Sequence, residues 1–143
     1  MTYKLIYLAG AITGLTDEEM NDWRNELKRM IDYEDFDGVR WRCVNPCPHI
    51  PAVIDQSVEK EQMRWDIYKV KHADLIVCDF NHPNSIGTSF ELAIARELGI
   101  PIIGLKTNPD VQLHPWWEIS ALHICTSIDE LYGYLVNNFL TLD

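Results

Sequence analysis

The chain of 143 residues carries a formal net charge of −10, and 47% of its residues are hydrophobic. This length and apolar content favour one folded domain over residues 1–143 and exclude an intrinsically disordered chain. The acidic balance argues against a nucleic-acid polymer as a partner, because such binders need a basic face, but it leaves a small anionic ligand open.

Five short, β-prone apolar runs are predicted as strands, at residues 3–8, 39–44, 75–80, 102–105 and 122–125. The first helix begins at a capping box formed by Thr16 and Glu19. A second capping box, Ser127 with Glu130, opens a last helix that runs to about Phe139. Apolar spacing predicts further helices at 57–72 and 88–98, a short helical turn at 116–121 and a loop at 47–56.

The alternation of strands and helices predicts an α/β fold with a parallel sheet covered on both faces. Right-handed crossovers make this a doubly wound, five-stranded, flavodoxin-like or Rossmann-like sheet with strand order 2-1-3-4-5. Its switch point lies between the first and third strands. The loops that leave these strands, 9–15 and 81–88, are also the richest in glycine and small polar residues, so we expect the ligand there.

Glycines in the first loop let a backbone approach a ligand closely and expose its N–H donors. The loop has neither the dinucleotide fingerprint nor a P-loop lysine, and an ordinary strand-to-helix turn is an alternative reading. Its candidate substrate-binding residues are Gly10, Ala11, Ile12, Thr13 and Gly14.

The second loop runs into the start of the 88–98 helix and is rich in hydroxyl groups. Ser85 and Thr88 supply hydroxyls, and Gly87 allows an exposed amide. Together with the helix N-terminus, these groups suit a hydroxyl-rich or phosphorylated ligand. Helix capping by one of them would explain one hydroxyl but not all of them.

Glu91 lies about one turn into that helix, among nearly continuous apolar residues. Because a buried unpaired charge is costly, we expect it to face a cleft or a fixed donor, and to stay ionised at the positive end of the helix dipole. Such a carboxylate can attack an anomeric carbon and form a glycosyl ester. The simpler alternative is a glutamate with no chemical role, whose negative charge only interacts favourably with the positive end of the helix dipole.

Three more polar residues are candidates for the same site. Asp66, at the edge of a helical apolar face, and Asp79, at the end of the third strand, are each a potential acid or base beside Glu91. Tyr7 ends the first strand, where its hydroxyl can orient a carboxylate. The alternatives are a solvated aspartate for Asp66 and a core tyrosine for Tyr7.

The four cysteines do not form the pattern of a secreted disulfide framework, and Cys78 and Cys125 lie in apolar runs as buried thiols. Cys43, Cys47 and His49 suggest a metal site, but no second ligand pair follows at zinc-like spacing, so we expect no metal. No apolar run approaches the roughly 20 residues of a membrane span, and the first residues enter a strand pattern directly. We therefore expect a cytoplasmic protein with no signal peptide and no membrane partner.

At these residues the chain resembles the nucleoside 2-deoxyribosyltransferase family, whose superfamily includes 2'-deoxynucleoside 5'-monophosphate N-glycosidases and CMP-type N-ribosidases. The resemblance covers residues 5–105 and rests on IYLAGAITG, RWDIYKVKHADLIVCDF and SIGTSFELAIARELGIPI. It implies that Glu91 is the nucleophile, that Tyr7 positions it, and that Asp66 acts on the leaving base. No metal or organic cofactor is implied.

The resemblance also bears on the substrate. Ser85, six residues before Glu91, looks like the phosphate-binding serine of the monophosphate hydrolases, where nucleoside transferases tend to carry an aspartate. The chain departs from this pattern at Ala11, where phosphate-binding relatives often offer a serine that Thr13 would have to replace. The family completes each site with a residue of a neighbouring subunit, which implies a homodimer or higher homo-oligomer. The aromatic segment 114–117 is predicted as interface or core.

The sequence thus predicts an enzyme that cleaves or exchanges the N-glycosidic bond of a (2'-deoxy)nucleoside or its 5'-monophosphate through a glycosyl-glutamate intermediate. Two alternatives stay open. One is a non-catalytic nucleotide-binding or sensor module on the same scaffold, and the other is an unrelated flavodoxin-like protein that binds a flavin.

Overall fold

A six-stranded sheet forms the centre of the computed structural model, which describes residues 2–47 and 56–141, without the side chain of Gln56. Its strands follow the order β2-β3-β1-β4-β5-β6. All neighbours pair in parallel except β2 and β3, which are antiparallel. The strands are β1 (Thr2–Ala9), β2 (Asp35–Phe36), β3 (Val39–Val44), β4 (Leu75–Asp79), β5 (Ile102–Leu105) and β6 (His123–Cys125).

The five parallel strands confirm the predicted α/β fold and its 2-1-3-4-5 order, and the two-residue strand β2 is an addition at the edge. It forms a hairpin with β3 through Asp37 and Gly38, whose φ angles are 56° and 82°. Positive φ at both central residues is the mark of a type I′ turn, which matches the twist of paired strands. An Asp-Gly pair between two β-prone runs is also a hairpin signal in the sequence.

Helices cover both faces of the sheet. At the start of the first, Thr16 and Glu19 form the predicted capping box. The predicted second box is incomplete, because the Glu130 carboxylate accepts from Thr126 instead of from the N-cap Ser127. The helices are α1 (Asp17–Ile31), α2 (Gln56–His72), α3 (Ile86–Glu97), α4 (Pro115–Ser120) and α5 (Ile128–Leu135), and a π-helical turn (Val136–Leu140) follows α5 where one continuous helix was predicted.

Alternation along β1 decides which side chains meet which helices. Ile6 and Leu8 join the core beneath α1 and α5, whereas Tyr7 and Ala9 join the core on the opposite face, with Leu92 of α3. Tyr7 therefore lies on the face of the sheet that α3 covers.

Several remaining predictions can be compared with the described residues. Cys78 and Cys125 are buried free thiols, as predicted. Trp117 is core, whereas Trp116 is 79% exposed. His49 and residues 48–55 of the predicted loop lie outside the described residues, and with them the hypothesis of a Cys43–Cys47–His49 metal site. Within the described ranges, no helix is long and apolar enough to cross a membrane.

Candidate functional site

A cavity of about 1070 Å³ opens beyond the carboxyl ends of β1 and β4, at the predicted switch point. This is at the upper end of the volumes typical of small-molecule sites. Its walls are the loop after β1, one face of α2, and the loop that leads from β4 into α3. The loop after β1 contributes Gly10, Ala11, Ile12, Thr13 and Leu15.

The face of α2 toward the cavity follows helical spacing. Val58, Gln62 and Asp66 recur four residues apart and all line the cavity. Gln62 Nε2 donates a hydrogen bond of 2.9 Å to Asp66 Oδ1. Burial raises the pKa of Asp66 to about 6, although the Gln62 hydrogen bond and the charge of Arg24 oppose this rise. Asp66 therefore exchanges its proton near neutral pH, as a general acid must.

Glu91 faces the cavity from the second turn of α3 and is 8% exposed. Burial raises its pKa to about 7, the charge of Asp66 adds to the rise, and Tyr7 and Arg24 oppose it. Burial thus opposes the expectation that the helix dipole keeps this carboxylate fully ionised, because loss of hydration disfavours the charged form. Protonated and ionised forms coexist at pH 7.

Tyr7 reaches the same carboxylate from β1. Its hydroxyl lies close enough to Glu91 to lower the pKa of that carboxyl, yet no hydrogen bond of normal geometry joins the two groups. Burial raises the pKa of Tyr7 far above its usual range, and the charges of Glu91 and Asp66 raise it further. Tyr7 is therefore a neutral O–H donor at any physiological pH.

Unpaired polar atoms surround this point. Within the described part of the chain, Tyr7 Oη, Thr88 Oγ1 and Glu91 Oε2 are buried without a hydrogen-bond partner. Buried polar groups are nearly always paired, so each such atom calls for an explanation. Since Thr88 and Glu91 line the cavity, a polar ligand bound there would supply the missing partners.

The predicted ligand loop before α3 also lines the cavity, through Ser85, Gly87 and Thr88. Ser85 is the N-cap of α3, and its Oγ accepts a hydrogen bond of 3.1 Å from the Thr88 N–H. The helix consequently begins at Ile86, two residues before the predicted start. Because Ser85 Oγ acts as an acceptor in the cap, its O–H proton can still be donated to a ligand.

Three predicted site residues, Tyr7, Asp79 and Gly14, do not line the cavity, although Tyr7 lies beside Glu91. The Asp79 carboxylate instead turns to its own loop, accepting from the Asn81 N–H at 2.8 Å and meeting His82 Nδ1 at 3.0 Å. Gly14 serves the turn into α1, with a φ of 82°. Tyr7, Asp66 and Glu91 are thus brought together, while Asp79 and Gly14 stay outside this group.

Sequence reasoning missed Arg24, a fully buried side chain on α1. Its guanidinium donates to the carbonyl oxygens of Leu8 (3.1 Å), Gly10 (3.1 Å) and Met20 (2.7 Å). Among the described residues, no carboxylate forms a salt bridge with it, and its charge lowers the pKa of Glu91, Asp66 and Tyr7. Its place on the apolar face of α1, four residues after Met20, was the available signal.

The close packing at Gly10 explains why this position has no side chain. Its φ is +154°, and a Cβ built there would lie 2.9 Å from Asp79 Cβ and 3.2 Å from Arg24 Nη2. The first loop can therefore approach the carboxyl end of β4 only with glycine at residue 10.

One group of potential metal ligands exists in the described ranges, away from this cavity. The ligand atoms of His123, Cys125 and Glu130 lie within 4.8 Å of one another. Burial raises the pKa of the Cys125 thiol to about 11, which keeps it protonated, and Glu130 Oε2 already accepts two hydrogen bonds from Thr126. A neutral thiol and a committed carboxylate are poor metal ligands.

The sequence was compared with protein-family models and with curated protein sequences. Residues 4–104 match the protein family described as "Domain of unknown function (DUF4406)". A search of curated protein sequences found no match.

Solved structures share the fold. The chain is similar to a 2-deoxyribosyltransferase from Bacillus psychrosaccharolyticus, with a TM-score of 0.69 and 15% identity over 91% of each chain. It is similar to a 2-deoxyribosyltransferase from Leishmania mexicana, with a TM-score of 0.61 and 18% identity over 96% of this chain and 99% of that one. It is also similar to a CMP N-glycosidase from Clostridium botulinum, with a TM-score of 0.56 and 18% identity over 92% of this chain and 97% of that one. At these identities the likeness confirms the predicted family resemblance at the level of the fold.

Proposed function

Since the chain belongs to the family described as "Domain of unknown function (DUF4406)", we propose its activity from the site itself: cleavage or exchange of the N-glycosidic bond of a (2'-deoxy)nucleoside or its 5'-monophosphate. The observation that carries this proposal is one cavity that holds Glu91 and Asp66, with Tyr7 beside Glu91. Structures of the same fold named as 2-deoxyribosyltransferases and as a CMP N-glycosidase add support.

The proposed reaction has two steps. In the first, the ionised Glu91 carboxylate bonds to C1' of the sugar while the bond from C1' to the base nitrogen breaks. Asp66 gives its proton to the departing base, so that the base leaves neutral. In the second, a water molecule or an incoming base attacks C1', the glycosyl ester breaks, and Glu91 is free again. Asp66 takes up the proton that the attacking group loses.

The remaining polar groups have supporting roles in this proposal. The Tyr7 O–H holds Glu91 in place and stabilises its ionised form once a ligand closes the gap between them. Thr13, Ser85, Gly87 and Thr88 bind the sugar hydroxyls or the 5' substituent. These residues all line the cavity, which supports this assignment.

The groups that line the cavity include some that favour a bound phosphate and some that oppose it. The Ser85 O–H and the exposed amides at the start of α3 favour a phosphate group. The acidic side chains of Glu59, Asp66 and Glu91 line the cavity as well, and their charges oppose it. Comparing the rate of base release from each nucleoside with the rate from its own 5'-monophosphate shows which of the two is the substrate.

The proposed mechanism predicts a bell-shaped pH dependence. Turnover needs one proton on the carboxyl pair, since Glu91 must be ionised and Asp66 protonated. Their pKa values of about 7 and about 6 place the singly protonated pair between pH 6 and 7, and because the proton then lies mostly on Glu91, the productive form with the proton on Asp66 is the minor one. Rates should fall below pH 6, where both carboxyls hold a proton, and above pH 7, where neither does.

A homo-oligomer is part of the proposal. Large apolar side chains stand exposed on α3 and α4 and just beyond: Ile86 (78%), Phe90 (58%), Trp116 (79%), Ile119 (66%) and Leu122 (68%). Such a concentration of exposed apolar surface is typical of a protein interface.

The test is base release, measured by chromatography, for the wild type, Glu91→Ala and the control Glu97→Ala. Glu97 is an exposed residue near the end of the same helix. Glu91→Ala should lose activity by a factor of at least about 1000, as expected when a covalent nucleophile is removed, and Glu97→Ala should keep it. Turnover by Glu91→Ala at the wild-type rate would refute the covalent mechanism.

A further inference from the structure

His82 bridges two elements that frame the cavity. It lines the cavity from the loop between β4 and α3. Its Nδ1 lies 3.0 Å from Asp79 Oδ2, at the end of β4, and its Nε2 lies 3.2 Å from Glu19 Oε2, in the first turn of α1. One imidazole ring thus contacts a carboxylate on each side.

This geometry requires a particular protonation state. Carboxylate oxygens only accept hydrogen bonds, so both ring nitrogens must carry a proton for both contacts to be hydrogen bonds. A neutral ring has one N–H and can keep only one of the two. Partial burial opposes protonation, but the hydrogen bond and charge of Asp79 and the charge of Glu19 outweigh it, so the pKa of His82 is raised.

The two carboxylates differ in how firmly they are held. Asp79 is 3% exposed and also accepts from the Asn81 N–H, so it is fixed to the loop after β4. Glu19 is 45% exposed, and its other oxygen accepts from the Thr16 N–H at the start of α1. A neutral ring would therefore keep Asp79 and release Glu19, which parts the loop from α1.

We propose that His82 is a positioning residue that, as an imidazolium ion, ties the loop after β4 to α1 and thereby fixes the two substrate-binding loops across the mouth of the cavity. The first loop, residues 10–15, runs directly into the capped start of α1, and the second contains His82 itself. Protonation of one ring therefore controls the separation of both loops.

The consequence for substrate binding rests on the proposed function. Joined loops hold the sugar or its 5' substituent from two sides, whereas separated loops lose one of these contacts. KM should therefore rise as the pH increases through the pKa of His82, while kcat, which depends on Glu91 and Asp66, follows its own profile. The charged groups that face the ring are Asp79 from β4 and Glu19 from α1.

The first experiment needs no substrate. The imidazole of His82 is titrated by NMR in the wild type and in Glu19→Gln, with the exposed His72 as an internal control. Loss of the Glu19 charge should lower the pKa of His82 by about half a pH unit, as is typical of a partly exposed ion pair, and leave His72 unchanged. Identical titrations of His82 in both proteins would overturn the proposal.

Two substitutions of His82 then test the link to the loops. His82→Asn cannot bridge both carboxylates at any pH, whereas His82→Arg offers two donors and a permanent charge. Hydrogen exchange of the amides in residues 10–15 and 81–85 should speed up with pH in the wild type beyond the intrinsic rate. It should be fast throughout in His82→Asn and protected throughout in His82→Arg. Equal protection in all three proteins would overturn the bridge.

Kinetics separate this inference from the function on which it rests. If base release occurs, KM should increase about threefold or more across the His82 titration in the wild type, and stay constant with pH in both variants. A wild-type KM that does not change with pH would overturn the role in binding. Absence of base release from every substrate would refute the proposed function and leave the NMR and exchange results to decide on the bridge.

Discussion

Replacing Glu91 with glutamine should make the protein more stable above pH 7 while abolishing its proposed activity. Burial moves the pKa of this carboxyl from its ordinary value of 4.5 to about 7. At about 1.4 kcal/mol for each pH unit, keeping Glu91 ionised in the folded protein costs about 3 kcal/mol. Glu91→Gln is nearly isosteric and carries no charge, so it removes this cost.

Proton linkage determines how this difference in stability changes with pH. Between pH 4.5 and 7 the folded protein holds a proton on Glu91 that the unfolded chain has lost, so unfolding becomes easier as the pH rises. Below pH 4.5 both states are protonated and the cost vanishes. The advantage of Glu91→Gln should therefore be absent at pH 4.5, grow up to pH 7 and stay constant above it.

Urea titrations at pH 5 and pH 8 measure this difference, with Glu97→Gln as the control on the exposed end of the same helix. At pH 8 the free energy of unfolding of Glu91→Gln should exceed that of the wild type by about 3 kcal/mol, and at pH 5 by less than about 1 kcal/mol. A gain in stability of equal size at both pH values, or no gain at pH 8, would refute the claim that the ionised, buried Glu91 destabilises the folded protein.

Three further predictions concern the frame of the site. Arg24→Met removes a charge that lowers the pKa values of both Glu91 and Asp66, so the pH–rate profile should move up as a whole by about one pH unit. Arg24→Lys should restore it, and an unmoved profile in Arg24→Met would contradict this role. Gly10→Ala places a Cβ 2.9 Å from Asp79 Cβ at a φ of +154°. The free energy of unfolding measured in urea should fall by about 1–3 kcal/mol. An unchanged urea midpoint would contradict this prediction, because it would mean that the loop moves to accept the methyl group without cost. Trp116→Glu should convert the proposed oligomer to single chains in sedimentation, and a wild type that already sediments as a single chain would refute the oligomer.

The sequence predicted the fold and the centre of the candidate site because both depend on local patterns. Strand and helix periods indicated the order of the parallel sheet, and the sheet order indicated which two loops meet. Glu91 and Asp66 stood out as carboxylates on apolar helix faces, where an unexplained charge is expensive. Their place in one cavity follows from the helices α2 and α3 that carry them.

The electrostatics of the site could not be read from the sequence in the same way. The pKa of Glu91 depends on how completely α3 is covered, which is a result of tertiary packing and not of its position in the helix. Arg24 bonds to backbone carbonyls of β1 and the following loop, and His82 to a carboxylate at the start of α1. These partners are distant in sequence, and no spacing rule connects them.

Base release from a panel of nucleosides and their 5'-monophosphates, each with and without a second free base, tests the central claim most directly. The proposed function predicts release of the base from at least one class, lost in Glu91→Ala and highest between pH 6 and 7. Release without an acceptor identifies a hydrolase, and product only with an acceptor identifies a transferase. Binding of these compounds with no release under any condition would contradict the claim and favour a nucleotide-binding module on the same fold.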